Sequence, residues 1–490
     1  AHSEDVDLEH CITLPAVETL YEEPRFEGGT LTRGSVVRTR THFYDSKGRP
    51  ALVTEEDSDG WVSVYSWEND FAGNVLKKTE EHFRDGVSDR MVTTYTYDGR
   101  GRRLTMHRSL NGTDYATVSY GYDDLGRAES KDVDGRGGET YSYTLQGWQE
   151  TAAARFYGQD VFSQSLRYQL PLAETSRAMF GGTVSEISHR HAGQDLQTTG
   201  YFYDGIGRLI DTRRHTGPGM TSTDLWTERS MTYDRNGNMT SMVSNVPGAS
   251  GMRTVSYSGN RASGASGPGY SASYSYYADG NLMTDSRRDL QFRYNLLNLP
   301  SVVTDASGQT VRAEYRYLAD GTKISVRDAQ DEGFDYRGSF VYAVDGTAGS
   351  AEAEVNLESV AHDEGRFLAL SSGSGSAATQ FIDTWHVRDH LGSVRTVLGS
   401  LVYDQSNRYR FNGKEEQTTG GIGLTDYGAR YYDSQLPRWT TIDPLAEKYY
   451  SISPYAFCNN NPVNFVDLDG RDFRKIIRRS SITISSTYYT

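Results

Sequence analysis

Cysteine is almost absent from this 490-residue chain: Cys11 and Cys458 are the only two. That excludes a disulfide framework and a zinc-binding cysteine pattern, although the two could pair with each other; two buried or unused thiols are the expectation. No apolar run is long enough to span a bilayer as a helix. Positive charge is in deficit, with 50 Lys and Arg against 65 Asp and Glu and a net charge of −15, which argues against nucleic-acid binding by the main body. There is no Gly-x-Ser-x-Gly, no phosphate loop and no His-Glu-x-x-His, so a conventional enzyme has no motif behind it and no cofactor is expected. No signal peptide is legible, and the chain begins at Ala1 rather than Met, as in a mature or trimmed form. Apolar residues make up 36 % and mean hydropathy is −0.64, low for a compact core. Proline is scarce (12) beside glycine (50), a turn-rich all-β balance.

What the chain has instead is a returning phrase: Tyr-Asp, two variable residues, then Gly-Arg or Gly-Asn. Clean copies begin at Tyr44, Tyr97, Tyr122, Tyr203 and Tyr233, and weaker ones at Tyr143, Tyr276, Tyr294 and Tyr317. A unit this short cannot bury its own apolar face and must stack on its neighbours. Before each turn aromatics alternate with polar residues, as in Thr94-Tyr95-Thr96-Tyr97, the period of a strand with one buried face. Asp-x-x-Gly is turn chemistry: the carboxylate caps local N–H groups and glycine accepts positive φ. Each unit is therefore a predicted β-hairpin, and successive hairpins pair edge to edge into a long sheet whose closure or spiralling would hide its edges. An open meander without an interior is the alternative. The 35 tyrosines suit strands that are part packed and part wet.

Composition divides the chain into an acidic lead-in (1–35), the repeat section (36–345), a loop-rich connection (346–379), a block dense in Asn, Pro and aromatics (380–471) and a basic, then Ser/Thr-rich tail (472–490). The Gly/Ser/Pro-rich stretches 246–270 and 371–378 read as flexible loops.

The block at 380–471 carries long ordered motifs. Asp389-His390-Leu391-Gly392-Ser393-Val394-Arg395 is followed by Phe411-Asn412-Gly413-Lys414, Asp426-Tyr427-Gly428-Ala429-Arg430-Tyr431-Tyr432-Asp433, Arg438-Trp439 and Asp443-Pro444-Leu445. Ser453-Pro454-Tyr455, Asn460-Asn461-Pro462-Val463-Asn464 and Asp467-Leu468-Asp469-Gly470-Arg471 complete it. Together with the Tyr-Asp phrases, this resembles the RHS (YD-repeat) family with its C-terminal repeat-associated core domain, in the form common in Bacteroidetes-type polymorphic toxins. Teneurins and the C component of insecticidal toxin complexes are built on similar shells.

The resemblance implies an all-β fold in which repeat hairpins form a spiral β-sheet shell, a full or partial cocoon, closed by the core as a plug. It implies a secreted or cell-surface bacterial protein that encapsulates and delivers a C-terminal toxin in interbacterial or host-directed competition. Its partners would be the toxin cargo or its remnant and a secretion apparatus or upstream delivery module. Between Val397 and Tyr409 the chain is shorter than the family pattern, and the residues from Asp472 to Thr490 are too few for a domain with its own core. The expectation is thus a truncated or orphan member, or one without its cargo. The competing class is an adhesion or carbohydrate-binding protein whose aromatic sheet stacks on cell-surface glycans.

Self-cleavage in similar proteins is attributed to paired aspartates: one carboxylate acts as base toward water, the other donates a proton, and a shared desolvated site keeps one protonated. The candidates are Asp443, Asp467 and Asp469, with Arg438 orienting a carboxylate and Arg471–Asp472 as the scissile bond. The family often has Pro and Leu where this chain has Leu468 and Arg471. The plain alternative is that these aspartates cap tight turns. His386 with His390, and His189 with His191, lack a third ligand at fitting spacing, so surface or turn histidines are expected and no metal site.

Overall fold

The computed structural model describes residues 16–22, 25–27, 30–32, 34–346, 354–370, 380–399 and 407–476. Among them there is no α-helix. Two long antiparallel sheets, neither closed into a barrel, hold most of the chain. The first has 17 strands, from Val17–Tyr21 to Thr221–Thr223; the second has 16, from Glu228–Tyr233 to Val394–Leu398.

The repeat phrase explains how each hairpin closes and how it grips the next. In Tyr44–Arg49 one Asp45 carboxylate oxygen accepts the N–H groups of Lys47 and Arg49, each at 2.9 Å, and the other accepts the Arg49 Nε at 2.6 Å. Asp98, Asp123 and Asp204 repeat the arrangement with Arg102, Arg127 and Arg208. The glycine four residues past each Tyr has positive φ, +82° at Gly126, where a side chain would be strained. The repeat tyrosine reaches back to the preceding hairpin: Tyr122 donates to the Arg103 carbonyl at 2.7 Å and Tyr233 to that of Leu209 at 2.6 Å. The repeat arginine reaches forward, with Arg102 4.6 Å above the Tyr122 ring and Arg127 4.6 Å above Tyr143. Strand pairing also slips at each repeat tyrosine, between Phe43 and Tyr44, Thr96 and Tyr97, Gly121 and Tyr122, and Phe202 and Tyr203. Such bulges increase twist and bend the sheet the same way at every copy.

The wall consequently comes round to its own beginning. Thr212, in the first sheet, exchanges two 2.8 Å hydrogen bonds with the backbone of Glu228, in the first strand of the second sheet. Further on, the turn at Leu318 pairs with Glu22, and Ala319 donates to the Tyr21 carbonyl. From there the second sheet follows the first. Arg337 pairs with Asp57 and Ser339 donates to Glu80; then Asp363 meets Arg103 and Glu364 meets Tyr120 and Lys131; then His390 meets Gln164. Both partners advance in the same direction. A sheet folded back as a sandwich would meet itself in reverse order, so this order defines a spiral. Shared apolar clusters seal the seam, among them Trp61, Met91 and Leu110 with Phe340, Val360 and Phe367.

The wall extends beyond 345, where the sequence suggested it stops: Glu354–His362, Gly365–Ala369, Phe381–Arg388 and Val394–Leu398 continue the same sheet. These strands lack the Tyr-Asp phrase but keep buried positions. The lead-in is not outside the wall either, since Val17–Tyr21 pairs with Val36–Tyr44. The Gly/Ser-rich stretch 246–270 is strand rather than loop, in Gly251–Ser258 and Arg261–Gly267. Two of its alanines are packed, Ala262 being only 1 % and Ala265 6 % exposed. Cys11, the stretch 371–378 and the tail beyond 476 lie outside the described residues.

Residues 407–476 form a cap of short strands and 3₁₀ turns. A four-stranded sheet runs from Glu415–Glu416 to Arg438–Trp439, and Phe465–Asp467 pairs with Phe473–Lys475. The cap binds the repeat turns one after another: Asn461 donates to the Gly207 carbonyl, Asn460 to Gly237, and the Tyr455 hydroxyl to Gly280. Charged pairs add to this, notably Arg288 with Asp433 and Lys323 with Glu415 and Asp426.

Candidate functional site

The cap's interior is an aromatic cluster of Tyr427, Tyr432, Trp439 and Phe457 with Cys458. A single arginine is buried against it. Arg430 sits at the end of a tight turn in which Gly428 N–H bonds Asp426 and Ala429 N–H bonds the Asp469 carbonyl. Its guanidinium lies 4.1 Å over the Trp439 ring and is 2 % exposed as a residue.

That guanidinium gathers two of the three expected aspartates. Its Nη2 is 2.8 Å from Asp443 Oδ2 and 3.4 Å from Asp467 Oδ2. Its Nε donates to the Gly470 carbonyl at 2.5 Å. Each aspartate divides its oxygens. Asp443 Oδ1 accepts the Leu445 N–H at 2.7 Å, and Asp467 Oδ1 accepts those of Gly470 at 2.7 Å and Asp469 at 3.1 Å. Each aspartate thus caps a turn with one oxygen and meets Arg430 with the other.

Burial is the dominant influence on both acids. It raises Asp443 and Asp467 above the ordinary aspartate range against the opposing pull of Arg430 and the turn N–H groups. Burial likewise lowers Arg430 below the usual arginine value, against the attraction of the two carboxylates. The Cys458 thiol is pushed well up by burial and by the nearby Asp467, as for a thiol packed in the aromatic cluster.

Asp469 is exposed and caps the Arg471 N–H at 3.0 Å, outside the pair. Arg438 lies elsewhere: it donates to the Asn260 carbonyl at 2.6 Å and stacks over Tyr257 and Tyr455, holding cap to wall. The place expected for Arg438 beside the carboxylates is taken by Arg430. Position in the chain favoured Arg438, five residues before Asp443; the turn at Gly428 brings Arg430 closer in space. No sequence signal separates the two, because Arg430 and Arg438 both lie within the aromatic stretch Tyr427–Trp439 and both are buried. The bond expected to break, Arg471–Asp472, lies in the hairpin turn that joins Phe465–Asp467 to Phe473–Lys475. Gly470, with φ of +77°, makes this turn possible, since a Cβ there would come within 2.8 Å of the Arg430 backbone nitrogen.

The histidine pairs serve the wall. His390 bonds Gln164 at 3.0 Å and the Val463 carbonyl at 3.1 Å, joining wall to cap. Burial lowers His386 and His189, each to about 3.

No family model matches the chain. Over 105 residues it is 35 % identical to Salivary gland surface protein 1 of Aedes aegypti, a match covering 17 % of this chain and 3 % of that protein. Among solved structures it is similar to the TcdB2-TccC3-Cdc42 complex, with a TM-score of 0.42 and 16 % identity over 89 % of this chain and 28 % of that one. It is similar also to TcdB2-TccC3 without its hypervariable C-terminal region, with a TM-score of 0.41 and 15 % identity over the same shares. The chain thus spans little more than a quarter of the length of those structures and a small fraction of the mosquito protein.

Proposed function

We propose that this chain is a section of an RHS-type shell that encloses a C-terminal polypeptide, the toxin cargo, and frees it by cutting the chain once at the cap. The observation that carries this is Arg430 holding two desolvated carboxylates, Asp443 and Asp467, beside the turn that precedes the cap's last described strand. The spiral order of wall contacts supports enclosure, and the serial docking of Asn460, Asn461 and Tyr455 on repeat turns supports a plug at one end.

The chemistry is amide hydrolysis. The ionised carboxylate takes a proton from water as its oxygen bonds to the Arg471 carbonyl carbon. The protonated carboxyl supplies a proton to the Asp472 nitrogen as the C–N bond breaks. The products are a carboxylic acid on Arg471 and a free amine on Asp472. In this reading Asp443 and Asp467 share the acid and base roles, Arg430 orients both, and Asp469 shapes the turn. Secretion, a delivery partner and a target cell belong to the same proposal.

A glycan-binding role draws less support from the same residues. Repeat tyrosine hydroxyls are engaged by neighbouring carbonyls, and their ring faces by arginines. Intact-mass measurement of the purified chain tests the proposal. A species ending at Arg471, replaced by one full-length species in Asp443→Asn, is the expected result, with the cleavage rate falling by about 10²–10⁴-fold. An uncut chain, or cutting indifferent to Asp443, would remove the releasing role.

A further inference from the structure

The turn that carries the scissile bond is held from both sides. Before the bond, Asp467 caps the Gly470 N–H and Arg430 holds the Gly470 carbonyl. After it, the Asp472 carboxylate accepts a hydrogen bond from the Tyr449 hydroxyl. The Tyr449 ring lies tilted against Phe473 with centroids 4.8 Å apart, and Phe473 packs edge-on against Phe465 at 5.5 Å. Tyr449 is not an independent surface residue. The Ala446 N–H bonds the Asp443 carbonyl, the Tyr449 N–H bonds the Ala446 carbonyl, and Asp443 Oδ1 caps Leu445. One short stiff segment, 443–449, therefore carries an acid of the site at its start and a grip on the residue beyond the bond at its end.

We infer that Tyr449 is a positioning residue for self-cleavage, fixing the Arg471–Asp472 bond relative to Asp443 through its grip on Asp472, and that the Asp472 carboxylate belongs to the site as a third acid. This rests on the self-cleavage reading above. Holding the reacting groups in register is where a clamp gains rate, and a shift of about 1 Å can cost a hundredfold. Asp472 also acts through its charge. It adds to burial in keeping Asp443 above the ordinary aspartate range, so the substrate's own carboxylate helps preserve the proton that the cut requires. The Tyr449 hydroxyl, pushed up to about 12 chiefly by its bond to Asp472, remains a donor throughout the working range.

The test follows cleavage of the full chain after arrest of cell-free synthesis, across pH. Tyr449→Phe keeps the ring and loses the hydroxyl; its rate is expected to fall about tenfold to a hundredfold, with the thermal midpoint unchanged. Asp472→Asn is expected to shift the alkaline limb of the pH–rate profile to lower pH, because Asp443 then loses its proton more readily. In the uncut Asp443→Asn background, Tyr449→Phe is expected to speed hydrogen exchange at the amides of residues 473–475, which reads the clamp without cleavage. A Tyr449→Phe chain cutting at the parental rate, or an Asp472→Asn profile that does not move, overturns the inference while leaving the self-cleavage reading intact. A parent chain that never cuts overturns both.

Discussion

The wall and the cap use aspartate in the same local geometry with opposite electrostatic results. Asp123 in the wall and Asp467 in the cap each accept turn N–H groups on one oxygen and meet an arginine with the other. Burial works to raise Asp123 as well, but backbone and Arg127 hydrogen bonds outweigh it, and it lies below the ordinary range. Asp98 is lowered first by its bond to the Arg102 N–H. In the cap burial prevails and Asp467 is raised. The difference is water. The Asp123 side chain is 19 % exposed and has Arg127 to itself; the Asp467 side chain is 1 % exposed and shares Arg430 with Asp443. A turn motif becomes a candidate acid–base site when it is dried and made to share its cation.

Removing the arginine from each setting should separate them most. Arg430→Met leaves two buried carboxylates without a cation and is expected to destabilise the cap by about 3–5 kcal/mol. Arg127→Met in the wall breaks a partly exposed pair and should cost about 1 kcal/mol or less. Equal losses in chemical denaturation would erase the distinction.

Acid should act with opposite sign on raised and lowered carboxylates, and the wall contains both. Asp383, buried at the wall seam beside Arg108 and His362, is pushed up to about 6 by burial, against the pull of Arg108 and Arg136. A carboxyl raised in the folded state binds more protons there than when unfolded. Its stabilising contribution is complete below about pH 4 and declines as pH rises through about 6. The lowered wall aspartates do the reverse, losing their contribution as pH falls below about 4. Asp383→Asn should therefore flatten the stability profile between about pH 4 and 6 by up to about 1.4 kcal/mol per pH unit; an unchanged slope would contradict the burial reading. A small effect belongs to a single link of the wall. Tyr122→Phe removes only the hydroxyl bonded to the Arg103 carbonyl and should cost about 1 kcal/mol in denaturation, with the fold retained.

Much of this architecture is legible in the amino-acid sequence. The Asp-x-x-Gly turns and aromatic alternation identify the hairpins because both are local consequences of side-chain chemistry. The pairing of Asp443 with Asp467 is within reach because ordered motifs mark the cap. Three features are not legible. The strands after 345 carry no Tyr-Asp phrase, so a reading keyed to that phrase stops early. The Gly/Ser run at 246–270 has loop composition, yet its alanines pack under the cap, a tertiary effect that overrides local preference. The exchange of Arg438 for Arg430 depends on which turn folds inward, and that is set by Gly428 and the aromatic cluster together, not by distance along the chain.

Enclosure depends on the second winding lying on the first in the same order, and the Lys131–Glu364 pair tests that most directly. The two residues are 233 apart in sequence, 2.7 Å apart in space and almost wholly buried as side chains. A double-mutant cycle with Lys131→Met and Glu364→Gln should return a coupling of about 1–3 kcal/mol. Additive losses, with no coupling within error, would mean that the windings do not touch there and would contradict the spiral wall.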